Sequence, residues 1–248
     1  MVYIKSQKEI EGIKQACVIW KKVKQALITH TKPGITTLEL DQIATNTARQ
    51  YNAIMSFYHH QGFPGNICIS VNEQIIHGVP STYKLKFDDI VTFDVGITYN
   101  NYICDAAFSL VLNPNNEKAI KINEATIDCL NQAILEVKPG NHIGDISYKI
   151  DEVAKAHGFV VIKNFGGHGC GLKLHEDPII LCYGQKATGC LLRPGMIICI
   201  EPMLMTKSNK YVIDPNNQWT VSAKNKQLTC NHEHMVLVTQ NGCEILTN

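Results

Sequence analysis

The sequence has no long hydrophobic run, and neither sign of charge is in excess. No apolar stretch approaches the roughly 18 residues that span a bilayer, and the opening segment MVYIKSQKEIEGIKQ is too charged for the core of a signal peptide. With 23 basic and 22 acidic residues, the formal net charge is +1, so no field favours DNA or an anionic surface. We therefore expect a cytoplasmic protein that binds neither DNA nor membrane.

Paired cysteines are also missing. The ten cysteines are scattered from Cys17 to Cys243 without a CxxC pair, which argues against a disulfide framework and a zinc ribbon. We predict free thiols. The length of 248 residues and the 45% hydrophobic content suit a well-buried core instead.

The chain does contain an internal repeat. A Lys-Pro-Gly sequence occurs at residues 32–34 and at 138–140, and strand-like segments start at Leu85 and Leu191, so both pairs are offset by 106 residues. Two pairs with one offset indicate duplicated halves. We place them at about residues 1–113 and 114–248 of a single catalytic domain, with the boundary near Asn113 to Asn116. A chance repeat in an unrelated α/β fold is the alternative.

Each half shows the same order of secondary-structure patterns. A charged helix pattern comes first, at residues 6–30 and 116–137, with apolar residues three and four positions apart. A second helix and alternating strands follow in each half. This order predicts an α+β fold in which helices cover a curved antiparallel sheet.

Five potential metal ligands lie where apolar runs meet polar sequence. Three carboxylates and a histidine indicate a hard divalent cation, and a further acid makes a two-metal cluster plausible, because bridging carboxylates hold two cations close together. The ligands are Asp94, Asp105, His168, Glu201 and Glu233.

Two of these acids belong to one predicted hairpin. Asn100-Asn101 suits a two-residue turn, which would place Gly96 opposite Asp105. Asp94 and Asp105 then become diagonal neighbours on one face, with Cβ atoms on the order of 7 Å apart. Solvated turn-flanking acids are the alternative, but acids after a buried strand are unfavourable unless paired or metal-bound.

The other ligands carry weaker signals. Glu201 falls one position from the duplicate of Asp94, so the two halves offer equivalent strand ends, and Glu233 directly precedes a strand-like run. His168 stands among glycines that permit close approach, although a lone histidine can equally be structural. We interpret His232 and His234 as surface or packing histidines, with a role as supporting or additional ligands at the metals as the alternative.

With the segments VTFDVG, ICDAAFS, FGGHGCG, CIEPM and NHEHMV, the chain resembles the type I methionine aminopeptidases of bacterial type, across residues 1–248. These belong to the pita-bread metallopeptidase family. The resemblance implies a pita-bread fold of two pseudo-symmetric halves and two-metal hydrolytic removal of the N-terminal methionine from nascent proteins when the second residue is small. It also implies transient association with the ribosome, and we expect a monomer.

The resemblance assigns roles to the ligands and to two histidines. Asp94 chelates one ion, His168 and Glu201 bind the other, and Asp105 and Glu233 bridge them. Ligands of this type suit cobalt, manganese, iron and zinc comparably well. The resemblance also implies that Glu201 carries the proton of the attacking water. It implies that His175, in KLHEDP, stabilises the oxyanion and that His77, in NEQIIHGVP, hydrogen-bonds the scissile amide.

A methionine pocket follows from the same resemblance, with departures from the common bacterial pattern. Phe57 stands where a small cysteine is frequent, Leu174 where phenylalanine is frequent, and His60 and Phe63 where tyrosines are frequent. A trade of bulk between Phe57 and Leu174 would conserve the pocket volume, so we expect methionine preference to persist. The expected pocket residues are Phe57, His60, Phe63, Cys68, Leu174 and Trp219.

Two other functions remain as alternatives. A proline-directed aminopeptidase or prolidase shares the fold and the five ligands, but differs around the segments GGHGCGLKLHEDP and NQWTVSAKNKQLT. A non-catalytic binding protein would have substituted ligands, whereas all five are intact here.

Overall fold

The structure, a computed structural model, describes residues 2–248. Its helices are α1 (Gln7–His30), α2 (Thr37–Arg49), α3 (Glu117–Leu135) and α4 (Ile143–Ala156), and a short 3-10 helix spans His60–Gly62. Its strands are β1 (Ile54–Met55), β2 (Cys68–Val71), β3 (Gln74–Ile76), β4 (Ile90–Tyr99), β5 (Tyr102–Val111), β6 (Val160–Val161), β7 (Gly166–Gly169), β8 (Glu176–Leu181), β9 (Ile197–Ile200), β10 (Met203–Met205), β11 (Tyr211–Ile213), β12 (Val221–Ala223), β13 (Thr229–Asn231), β14 (His234–Val238) and β15 (Cys243–Ile245). Within residues 2–248, no helix is long and apolar enough to cross a membrane.

The helices begin at strong capping signals. The side chains of Ser6 and Thr36 each accept a hydrogen bond from the backbone N–H of a glutamate three residues on. The carboxylate of that glutamate accepts from the backbone N–H of Ser6 or Thr36, so both ends form capping boxes. Helices α1 and α3 lie where the periodicity predicts them and end shortly before the two Lys-Pro-Gly sequences. Their apolar faces are buried against the strands.

All strand pairs in the described part of the chain are antiparallel, and they fall into four sheets. One contains β1, β4, β2 and β5, and another has the order β15-β14-β9-β7-β8. The remaining two have the orders β13-β10-β6 and β11-β12-β3. The predicted α+β architecture with helix-covered antiparallel strands is confirmed. The pairing is divided among several sheets because most strands outside the β4–β5 hairpin are short.

Equivalent contacts recur in the two parts of the chain. Thr36 precedes α2 and bridges Lys84, while His142 precedes α4 and bridges Leu191. These contacts support the predicted division into halves, which stays a prediction. The two parts also interlock, because the Glu233 backbone N–H donates to the Ala107 carbonyl at 2.8 Å.

Candidate metal centre and substrate cavity

The β4–β5 hairpin brings two acids to one face. Asn100 and Asn101 have φ values of 50° and 66°, the left-handed conformation that a tight two-residue turn requires. The register pairs Gly96 with Asp105, as predicted from the sequence. Asp94 and Asp105 therefore lie diagonally on one face of the hairpin.

Glu233 completes a cluster of three carboxylates with this pair. Oxygens of Asp94, Asp105 and Glu233 lie within 4.8 Å of one another. Burial and then neighbouring ionisable groups raise the pKa of all three well above the ordinary range. Asp105 Oδ1 and Glu233 Oε1 are buried without a hydrogen-bond partner in the described structure. Buried carboxylate oxygens of this kind must be protonated or bound to a cation, and three of them within reach of one another fit a divalent metal ion.

His168 reaches the same cluster from β7. Its Nε2 is 3.8 Å from Asp105 Oδ2, and its Nδ1 is 3.0 Å from the Gly169 carbonyl. With Nδ1–H donating to that carbonyl, Nε2 carries the lone pair that a metal ligand needs. Burial lowers the pKa of His168, which favours this neutral form. A Cβ at Gly167 would lie 1.9 Å from the Cys199 carbonyl, so glycine is required there for the close approach of β7 and β9.

Glu201 follows β9 directly and is only 8% exposed. Burial raises its pKa to about 7, while a 2.7 Å hydrogen bond from Asn231 Nδ2 to its Oε1 opposes this rise. A carboxylate with a pKa near neutrality can accept and return a proton at working pH.

The two histidines that flank Glu233 have partners away from the carboxylates. His232 Nε2 is 2.8 Å from Asn123 Oδ1, and His234 Nδ1 is 2.8 Å from Thr247 Oγ1. Burial lowers their pKa values to about 3 and about 4. Both are therefore neutral packing histidines, which agrees with the favoured sequence interpretation.

The carboxylates open into a cavity of about 850 Å³. All of the metal ligands, catalytic histidines and pocket residues expected from the sequence contribute to its wall: Asp94, Asp105, His168, Glu201, Glu233, His77, His175, Phe57, His60, Phe63, Cys68, Leu174 and Trp219.

One end of this cavity is apolar. Phe57, Phe63, Cys68 and Leu174 form a cluster separate from the two main cores, and Trp219 packs against it. The Phe63 and Trp219 rings meet edge to face with centroids 5.3 Å apart. Phe57 and Leu174 share the cluster, which supports the predicted trade of bulk between them.

His175 and His77 lie between the two ends. The His175 ring centroid is 4.4 Å from that of His168 and 5.4 Å from that of His60. The His77 ring is 6.0 Å from that of Trp219. Burial lowers the pKa values of His77 and His175 to about 4, so both rings are neutral at pH 7.

The sequence profile of metallopeptidase family M24 matches residues 11–240. The chain belongs to this family. It is 42% identical over 250 residues to a methionine aminopeptidase from Mycoplasmoides gallisepticum, with 100% of both chains covered. Crystal structures of methionine aminopeptidases from Rickettsia prowazekii and Thermotoga maritima share 31% and 34% identity with it, again with 100% of each chain covered. Their TM-scores of 0.98 and 0.97 confirm the predicted pita-bread fold.

Sequence reasoning missed several neighbours of the site in this M24 peptidase. Asn231 holds Glu201, and its position two residues before Glu233 was the one available signal. Phe165 packs edge to face on His77 with centroids 6.0 Å apart. Lys5 and Glu176 form a buried ion pair beside the cavity, and no local pattern indicates it because 171 residues separate them.

Proposed function

We propose that this M24 peptidase is a methionine aminopeptidase that removes the N-terminal methionine of nascent proteins when the second residue is small. One observation carries the proposal: a carboxylate–histidine cluster and an apolar pocket share a single cavity. Such a cavity can hold an unbranched thioether side chain in the apolar end while the adjacent amide faces the carboxylates. The full-length similarity to methionine aminopeptidases supports it.

The proposed centre would hold two divalent ions. Asp94 would bind one ion and His168 and Glu201 the other, while Asp105 and Glu233 would contribute to both through buried oxygens that have no other partner. The ions would supply Lewis acidity and a water of lowered pKa. Cobalt, manganese, iron and zinc all suit this donor set.

The chain's own groups move the proton and stabilise charge. Glu201 takes the proton of the attacking water and delivers it to the leaving amine, since its carboxylate lies in the wall of the cavity that the substrate would enter. His175 donates to the oxyanion, and His77 hydrogen-bonds the scissile amide. Both rings are neutral at pH 7, so each has one N–H to donate.

The proposed setting is the cytoplasm, where the enzyme acts on chains that emerge from the ribosome. We propose that the enzyme itself is a monomer. The absence of excess net charge agrees with a peptide substrate rather than a polyanion. Transient association with the ribosome follows from the nature of the substrate.

The test is release of free methionine from a Met-Ala-Ser peptide, measured by mass spectrometry before chelation, after chelation and after manganese or cobalt is restored. Release that chelation abolishes and metal restores is expected, with a Met-Lys peptide left intact. Cleavage of an Xaa-Pro peptide instead would assign the chain to the proline-directed peptidases. Metal binding without cleavage of any of these peptides would mean that the departures at Phe57 and Leu174 have changed the pocket and with it the class of substrate.

A further inference from the structure

The loop that carries His175 is hydrogen-bonded to the carboxylate of Glu176, the residue that follows His175 in the sequence. Residues 170–175 connect β7 to β8, and Glu176 is the first residue of β8. Glu176 Oε1 accepts from the backbone N–H groups of Leu172 at 2.8 Å and Lys173 at 3.0 Å. The loop therefore closes on the side chain of the residue that directly follows His175.

The second oxygen of the same carboxylate binds the N-terminal segment. Lys5 Nζ lies 2.6 Å from Glu176 Oε2, and the two side chains are only 1% and 8% exposed. Burial raises the pKa of Glu176, but the hydrogen bonds from Lys5, Lys173 and Leu172 outweigh this effect and leave the pKa below its ordinary value. The carboxylate is thus charged and fully engaged at neutral pH.

Lys5 itself is held from two sides. Its backbone N–H donates to the Gly195 carbonyl at 2.9 Å, in the turn before β9. Its side chain passes beside Gly171, where an added Cβ would stand 3.4 Å from Lys5 Cε. The position of the ammonium group is therefore set by the framework around the loop.

A buried ion pair contributes little net stability, because desolvation opposes the attraction between the charges. Its geometric effect is larger, since one buried carboxylate with three donors allows a single arrangement of the loop. We infer that the Lys5–Glu176 pair is a positioning device that holds His175 where it can donate to the developing oxyanion. This inference rests on the proposed function. It makes the N-terminal segment, far from the ligands in sequence, part of the construction of the active site.

The kinetic test uses Lys5→Met, which keeps the length of the side chain and removes its charge. We expect kcat for Met-Ala-Ser to fall about tenfold to a hundredfold with KM changed less than threefold, because His175 acts on the transition state. Bound metal, measured by elemental analysis, should stay at the wild-type ratio. The matched control is Lys14→Met, which breaks the exposed Lys14–Glu244 pair on α1. This control should leave kcat unchanged.

A double-mutant cycle separates positioning from a purely structural role. In a His175→Ala background, Lys5→Met should reduce kcat less than twofold further, since the ring it positions is already gone. Equal losses of kcat in both backgrounds would overturn the inference. If Lys5→Met fails to fold, Glu176→Gln replaces it in the same cycle, since it removes the charge and keeps the shape.

A second readout does not depend on activity. Amide hydrogen exchange of residues 171–175 should rise at least tenfold in Lys5→Met and stay at the wild-type rate in Lys14→Met. Unchanged exchange in Lys5→Met would overturn the inference even in an active enzyme. A wild-type protein that releases no methionine would refute the proposed function, while the exchange experiment would still decide whether the pair orders the loop.

Discussion

The two ends of the cavity are built on opposite principles. At the acidic end, Asp94, Asp105 and Glu233 place carboxylates within 4.8 Å of one another, and two of their oxygens have no partner in the described chain. At the apolar end, Phe57, Phe63 and neighbouring side chains fill a compact cluster. The acidic end thus opposes folding until a cation compensates it, whereas the apolar end stabilises the fold that it shapes. The same cavity therefore contains an acidic end that lowers the stability of the metal-free fold and an apolar end that raises it.

The largest expected effect is the loss of catalysis when a carboxylate at the acidic end is replaced. Asp105→Asn should lower kcat/KM for Met-Ala-Ser by about a thousandfold or more, because weakened metal binding removes several kcal/mol of transition-state stabilisation. The control is Asp88→Asn, an exposed acid before β4, and it should retain wild-type activity. A loss of kcat/KM below tenfold in Asp105→Asn would show that Asp105 does not belong to the metal centre.

The same variant tests whether the acidic end opposes folding. The pKa of Asp105 is raised in the folded state, so its contribution to stability is most favourable below the unfolded value of about 4 and declines as pH rises from there to the raised folded-state pKa. Metal-free Asp105→Asn lacks this decline. Its melting temperature at pH 7 should exceed that of the metal-free wild type by about 2 °C or more, and the difference should vanish near pH 4. A metal-free variant that melts below the wild type at pH 7 would contradict the comparison.

At the apolar end the effect should appear in substrate binding. Phe63→Ala removes the ring that packs edge to face on Trp219, so KM for Met-Ala-Ser should rise about tenfold to a hundredfold with metal content unchanged. Phe87→Ala, which truncates a ring that is 55% exposed, is the control and should match the wild type. Unchanged KM in Phe63→Ala would place the methionine side chain elsewhere.

The smallest effect concerns the residue where the two ends meet. Cys68 belongs to the apolar cluster and pairs with Asp94 in register, and burial and then the neighbouring Asp94 charge raise the pKa of its thiol. Cys68→Val keeps the apolar wall and removes the polar thiol beside Asp94, so metal affinity measured by calorimetry should fall about tenfold while KM changes less than twofold. Cys129→Val is the control, because its buried thiol donates to the Ile150 carbonyl instead. A larger change in KM than in metal affinity would assign Cys68 to the pocket alone.

The features that could be predicted from the sequence are those whose residues lie close together along the chain. The relation between Asp94 and Asp105 was predictable because the Asn100-Asn101 turn is local and fixes the register of both strands. The ten free thiols were likewise predictable from the scattered cysteine pattern. Local sequence patterns do not predict how the remaining site residues come together.

The convergence of the remaining ligands needed information that local patterns lack. His168 and Glu201 come from different strands, and only the family resemblance indicated that they meet Asp105. The Lys5–Glu176 pair was not predicted, since the partners are 171 residues apart and nothing in the motif KLHEDP, which contains Glu176, indicates a partner near residue 5. Residues whose position depends on the packing of distant segments become visible only in the folded chain.

The backbone N–H of Glu233 donates to the Ala107 carbonyl at 2.8 Å, so an acid 128 positions after Asp105 in the sequence meets the strand that carries Asp105. During translation the Asp94–Asp105 hairpin leaves the ribosome before Glu233 does. A partly synthesised chain that lacks Glu233 therefore carries an incomplete centre. The centre can be completed only after Glu233 has been synthesised and has packed against this hairpin.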